Sequence, residues 1–228
     1  MSSNKINANI SISKQFTIKQ YYEARDTNNQ EIITKILNDR LETRYFKPIS
    51  NLNCDSKDNI GYGFSIMVLI CSLIEFLASC RNGQYYMYKN NESSNSKDNY
   101  SNSSKTFKNF LSTVRPFKSE FLSNKYENIA DEFYSEVRCP LFHSASTGKD
   151  WVIIANIDDY ETKHDEEWKT KIISYDKNRL VTNINRTIFV EKLVYYKNTY
   201  INSISTDPIA YKKLTIVLDH LFDYKATK

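Results

Sequence analysis

Residues 60–81 carry an almost unbroken apolar run: Ile66, Met67, Val68, Leu69, Ile70 and Cys71, then Leu73, Ile74, Phe76, Leu77 and Ala78. On a helix these side chains cover the whole circumference, so the helix must be buried on several sides. The rest of the fold has to be packed around it. Gly61 and Gly63 near its start leave room for a close neighbour, and Gly83 just past its end suits a left-handed C-cap. Its most apolar part, residues 64–78, is interrupted by Ser65, Ser72 and Glu75 and is shorter than the ~20 residues that span a bilayer. Residues 1–19 lack the apolar core of a signal peptide. The expectation is a soluble, cytoplasmic protein with no membrane partner.

The remaining segments read as helices gathered around that one. With Gly 4 and Pro 4 in 228 residues the chain has few breakers, which favours long helices over a many-turned β fold. Residues 17–48 form N-terminal helices, in two pieces separated at Thr27-Asn28-Asn29 and ending before Pro48. Residues 89–105 are rich in Ser and Asn and read as a flexible surface insertion. Residues 106–145 hold further helices, interrupted at Pro116 and bent or ended at Pro140. Two β-rich runs, Trp151-Val152-Ile153-Ile154 and Lys171-Ile172-Ile173-Ser174-Tyr175, precede a turn at Asp176-Lys177-Asn178, and Leu180-Val181-Thr182 pairs back. They predict a small antiparallel sheet over 151–184. Asn185 and Asp207-Pro208 then cap the C-terminal helices of 186–223. The fold class expected is mainly α, in one domain over 1–228, with a small antiparallel β insertion before the C-terminal helices.

The net charge is +4 with pI ≈ 8.7, which permits a nucleic-acid partner without demanding one. Cys54, Cys71, Cys80 and Cys139 show no CxxC spacing, and free thiols in a reducing compartment are expected. His164 stands among Asp158, Asp159, Asp165 and Glu166, but with irregular ligand spacing, so no metal and no cofactor are expected. His220, beside Asp219 on the last helix, reads as structural.

One stretch concentrates chemistry: Phe133-Tyr134-Ser135-Glu136-Val137-Arg138-Cys139-Pro140-Leu141-Phe142-His143-Ser144-Ala145. Arginine is always charged and grips a phosphate through parallel hydrogen bonds. Histidine takes or gives a proton near neutral pH. Together they suit RNA cleavage without a metal, with the base freeing a ribose 2′-OH and the arginine steadying the charge that grows on the phosphate. On one straight helix Arg138 and His143 would lie about 140° apart, so a break at Pro140 is expected to let them converge. The same residues also describe an arginine bonding C-terminal carbonyls and a core-edge histidine.

The segment Arg138-Cys139-Pro140-Leu141-Phe142-His143-Ser144-Ala145 resembles the R-x(4–6)-H signature of the HEPN superfamily. It is similar to a subgroup with R-C-G-[IL]-[LF]-H-[QS]-A, in which glycine stands at the position of Pro140. Gly63-Phe64-Ser65-Ile66-Met67 through Leu73-Ile74-Glu75-Phe76-Leu77 resembles that group's central helix, and Phe133-Tyr134 its lead-in. The resemblance implies an all-α bundle, usually a homodimer with the two motifs facing each other. Many members are metal-independent endoribonucleases of toxin–antitoxin or antiviral defence systems, working with an antitoxin or defence partner. It implies Arg138 as phosphate binder and His143 as acid and base, leaving a 2′,3′-cyclic phosphate. Other members only bind RNA, a nucleotide or a protein, and that non-catalytic role is the alternative.

Four neighbours are candidate supports. Glu136 would orient Arg138 or stand solvated on its helix, and Ser144 would bond phosphate or cap a turn. Cys139 follows the arginine where many active members have a polar residue. Glu75, a charge in the most apolar helix, needs a partner, and a neighbouring arginine or tyrosine would supply it. Lys105, Lys108, Arg115, Lys118 and Lys125, interleaved with Phe107, Phe110 and Phe117, read either as an RNA-guiding face or as a solvated face beside core aromatics.

Overall fold

The chain's structure is a computed structural model and describes residues 9–54, 62–87, 97–122, 129–155 and 170–224. It is mainly helical with little strand, as expected. In chain order come α1 (Ile18–Asp26), α2 (Gln30–Leu41), a π-helical turn (Glu42–Phe46), α3 (Lys47–Cys54), α4 (Tyr62–Asn82), β1 (Tyr85–Tyr86), β2 (Asn99–Tyr100), α5 (Ser103–Thr113), α6 (Lys118–Phe121), α7 (Ile129–Phe133), a second π-helical turn (Tyr134–Arg138), α8 (Cys139–Ser144), β3 (Trp151–Ile154), β4 (Ile173–Asp176), β5 (Val181–Asn185), α9 (Arg186–Thr206) and α10 (Pro208–Leu221). The chain divides into two compact units, one of Met1–Pro48, Ser79–Ser101 and Thr199–Lys228, the other of Ile49–Ala78 and Asn102–Asn198.

In the first unit Asn29 and Asp207 cap as their sequence predicts, and Thr17 adds a cap not named from the sequence. Thr17 and Gln20 form a capping box at the start of α1, Asn29 caps α2, and Asp207 caps α10 with Pro208 in the first turn. Tyr21, Ile33, Ile36, Leu37 and Leu41 are fully buried between these helices. Burying Tyr21 requires a partner for its hydroxyl. It donates to Asp219 Oδ1 at 2.5 Å, and Arg25 reaches the same carboxylate through Nε and Nη2, both at 2.8 Å. Asp219 therefore ties α1 to α10. Gly83 ends α4 at φ +70°, as its C-cap position predicts, with its own N–H and that of Gln84 both donating to Ser79 O. A Cβ there would lie 3.1 Å from the Lys213 backbone.

Residues 89–105 depart from the expected flexible insertion wherever they are described. Asn99–Tyr100 pairs in parallel with Tyr85–Tyr86, and the Asn102 side chain accepts from Lys105 N–H to start α5. Tyr100 supplies the apolar area that the Ser/Asn composition conceals, packing edge-on to Tyr86 and bonding Ser79 Oγ through its hydroxyl.

The second unit is built on aromatic rings. Phe107, Phe117, Phe121, Phe133 and Phe189 are each fully buried, and their contacting rings lie 5.4 to 6.1 Å apart. Such packing stabilises through area and ring geometry together. Glu120 joins three elements: it accepts from the Ile172 and Ile173 N–H groups before and in β4, and from Lys192 Nζ on α9. The sheet order is β3-β5-β4. β4 and β5 form the expected antiparallel hairpin, with Tyr175 opposite Thr182. β3 corrects the all-antiparallel expectation by pairing parallel to β5, with Trp151 opposite Thr182. Parallel pairing needs a long crossover, and the chain between β3 and β5 is long enough to make one.

α4 has the buried character its composition demands: Ile66, Met67, Ile70, Cys71, Leu73, Ile74, Leu77 and Cys80 are fully buried. At 21 residues it is also long and apolar enough, by length and composition, to cross a membrane, and 56% of that window is buried inside the fold. Gly63 gives the expected close approach, since a Cβ there would meet Arg186 Nη1 and Ile153 Cγ2, each at 3.2 Å.

Two outcomes follow for the first unit. Gly83→Ala forces a side chain into the left-handed region against the Lys213 backbone, so the urea midpoint should fall by the equivalent of about 1–3 kcal/mol. His220 stacks on Tyr85 with ring centroids 3.6 Å apart, and burial there lowers its pKa from the ordinary histidine value, against a smaller opposing effect of Asp223. The unfolded chain then binds more protons between the depressed folded value and the ordinary value of about 6.5. Stability should fall as pH drops through that window. His220→Gln should flatten that part of a stability–pH curve measured by denaturant titration.

Candidate functional site on the motif helix

Residues 129–144 run as one helix through Pro140, so the proline neither ends nor breaks it. Three features make that possible. Proline has no N–H for the carbonyl four residues back, and its ring crowds that carbonyl. The turn Tyr134–Arg138 is π-helical, with the Cys139 N–H bonding Tyr134 O, five residues back. The freed Glu136 carbonyl accepts instead from the Gly148 N–H at 2.6 Å. Pro48 repeats the solution: the π-turn Glu42–Phe46 precedes it, the Lys47 N–H bonds Glu42 O, and α3 runs on past the expected stop.

The motif helix stops at Ala145, which adopts the left-handed conformation with φ 48°. Its N–H bonds Pro140 O. Backbone geometry, not Ser144, makes this end, and the Ser144 side chain is exposed.

Without a break at Pro140, Arg138 and His143 point apart. Arg138 turns toward α4. Its Nε and Nη2 donate to Glu75 Oε1 at 2.9 and 2.6 Å, with side-chain exposures of 16% for Arg138 and 25% for Glu75. Its guanidinium also lies over two rings of its own helix, 4.5 Å from the Phe142 centroid and 5.4 Å from that of Tyr134. These residues sit four before and four after Arg138, the spacing that stacks side chains on one helix face. Burial alone would lower the Arg138 pKa, but the Glu75 charge and hydrogen bond outweigh it and the net direction is upward. Two of the five guanidinium N–H groups are committed to Glu75, and the other three hydrogen-bond none of the described residues. His143 is exposed and hydrogen-bonds none of the described residues.

Phe133 anchors the helix, packed against Phe107, Phe121, Trp151 and Phe189. Tyr134 is held by Phe107 and by a 3.3 Å hydrogen bond between its hydroxyl and Ser103 Oγ. Glu75 is the carboxylate that orients Arg138. Glu136 is not: its side chain lies over Gly148, where an added Cβ would collide with the carboxylate. Cys139 is half-buried with a free thiol beside Arg138. Cys71, one turn before Glu75, is fully buried, and that burial pushes its thiol pKa up.

The basic residues divide. Lys105, Arg115 and Lys118 are exposed, while Lys108 pairs with Asp131 at 2.5 Å. Lys125 lies outside the described residues, as do His164 and its acidic neighbours. A groove of about 400 Å³ opens beside α5, with Lys105, Lys108, Asn109 and Asp131 among its walls. Among the described residues no group of three or more His, Cys, Asp or Glu is placed to hold a metal ion.

Tyr134 and Phe142 as walls of the Arg138 site were missed from the sequence, although their spacing of four to either side of the arginine was the available signal. Gly148 closing the Glu136 carbonyl had no local signal. Comparison with family models, curated proteins and solved structures finds no match.

The Glu75–Arg138 link is testable by stability. Glu75→Ala leaves a mostly buried guanidinium unpaired and should lower the unfolding free energy by about 1–3 kcal/mol. Glu75→Gln, which still accepts a hydrogen bond, should lower it less. A double-mutant cycle with Arg138→Ala, read by urea denaturation, should return a coupling above about 0.5 kcal/mol.

Proposed function

We propose that this chain is a metal-independent endoribonuclease of HEPN type that works as a homodimer. The observation that carries the reading is Arg138: a guanidinium oriented by Glu75 and two rings, with three N–H groups uncommitted, on the same helix as an exposed histidine. Donors fixed before the substrate arrives stabilise developing charge without reorganising.

In the proposed reaction a histidine removes the proton of a ribose 2′-OH. The 2′ oxygen forms a bond to the adjacent phosphorus, the bond from phosphorus to the 5′ oxygen breaks, and a second acid protonates that oxygen. The products are a 2′,3′-cyclic phosphate and a 5′-hydroxyl. Arg138 binds the phosphate throughout, and no cofactor is needed for proton balance. Because Arg138 and His143 diverge on one helix, a second copy facing the first supplies the complementary group, with His143 of the partner subunit opposite Arg138. Such an enzyme would act on cytoplasmic RNA, in a toxin or antiviral setting with an antitoxin or defence partner.

One observation favours the non-catalytic alternative, a module that binds RNA, a nucleotide or a protein. Among the described residues His143 has no hydrogen-bonding side chain to orient it, as general bases commonly have. The test separates the two. Purified protein incubated with RNA in EDTA should yield cyclic-phosphate ends, and His143→Ala should cut at least about 100-fold more slowly. Arg138→Ala should also lose cleavage. Cleavage by wild type and His143→Ala alike, or by neither across varied RNAs, would overturn the enzyme reading.

A further inference from the structure

Among the described residues five large aromatic side chains of the second unit are exposed, Tyr62, Phe64, Phe142, Tyr175 and Tyr195, and of these Phe142 carries the motif arginine against its ring. The residue is 44% exposed while Phe107, Phe117, Phe121, Phe133 and Phe189 are fully buried. It is nevertheless held in place, because the Arg138 guanidinium lies over one ring face at 4.5 Å. The guanidinium covers one ring face, and 44% of the residue's surface is left to solvent. Phe142 also sits between the two proposed functional groups, one residue before His143 and one helical turn past Arg138.

We propose that the outer face of Phe142 is a stacking platform for a nucleobase of single-stranded RNA, next to the phosphate held by Arg138. This rests on the ribonuclease reading above and adds a substrate-binding residue to it. Stacking on an aromatic face is tolerant of base identity. The guanidinium behind the ring brings N–H donors that a phosphate of the strand can use and an apolar partner would not. A base on the ring lies within one nucleotide of its own phosphate, so a single contact would fix both the strand and the bond to be cut. A paired duplex cannot offer a base face, and the site should select unpaired segments.

The experiment uses the full chain and a short single-stranded RNA carrying 2-aminopurine, fully 2′-O-methylated so that it cannot be cleaved. Wild-type protein should quench the fluorophore. Phe142→Leu, which keeps apolar bulk and loses the π face, should bind at least about fivefold more weakly and abolish the quench, whereas Phe142→Tyr should retain both. With cleavable RNA in EDTA, Phe142→Leu should raise KM more than it lowers kcat. Equal binding and quench by Phe142→Leu and wild type, with cleavage intact, would overturn the platform alone. So would a shift of Phe142→Leu from dimer to monomer in sedimentation with RNA binding unchanged, which would mean a second copy covers the ring. Neither binding nor cleavage by wild type would overturn the ribonuclease reading and the platform with it.

Discussion

The second unit depends on the pairing of Glu75 with Arg138. α4 is apolar over nearly its whole surface, and an unpaired carboxylate on it would be costly. Arg138 resolves that cost from the motif helix, with two hydrogen bonds to one oxygen. Once the arginine is committed, the rotation of the motif helix about its axis is set. Phe133 and Val137 then face the core, and Tyr134 and Phe142 close over the guanidinium. His143 is left on the outside. A single polar contact thus fixes both the inner packing of the helix and which of its groups reach solvent.

The prolines contribute through the widened turns before them. Pro48 and Pro140 each follow a π-helical turn that ends two residues earlier. A wider turn relieves the carbonyl that the proline ring would crowd, and the helix continues at the cost of one unmatched carbonyl. At Pro140 that carbonyl is closed by Gly148, which also pins the chain leaving the helix. Glycine leaves room there for the Glu136 side chain, which would have to shift if a Cβ were added. Pro140 is therefore part of a local arrangement that includes Glu136 and Gly148, and not an isolated interruption.

Much of this was legible in the sequence where the controlling physics is local. The caps at Asn29, Asn185 and Asp207, the C-cap at Gly83 and the burial of α4 each follow from a few neighbouring residues. Glu75 announced its need for a partner because charge in an apolar helix is expensive, and an arginine was among the named solutions. The misjudged features were those decided by distant chain. Pro48 and Pro140 read as stops, since the π-turns that accommodate them have no sequence signature of their own. β3 pairs in parallel because the chain can cross over between β3 and β5, which alternation of side chains does not record. β2 lay hidden in a Ser/Asn stretch, where Tyr100 finds Tyr86 and Ser79 only once the chain has folded.

The neutralised arginine bears on mechanism. A bare guanidinium grips any phosphate, bound substrate and transition state alike, and uniform binding of that kind does not speed the chemical step. In the proposed reaction, with Glu75 already on Arg138, a ground-state phosphate would meet a pair of low net charge. The uncommitted N–H groups remain fixed in direction, and they gain most when negative charge accumulates on the phosphate oxygens. For the proposed enzyme, orientation would then be retained while ground-state attraction is reduced, a balance that suits turnover over tight binding. The same arrangement without a competent His143 would make a modest, reversible RNA contact and no more. On the proposed reading, the difference between catalyst and binding module would lie with the exposed histidine and with what a second copy would place opposite it, because the arginine site suits both.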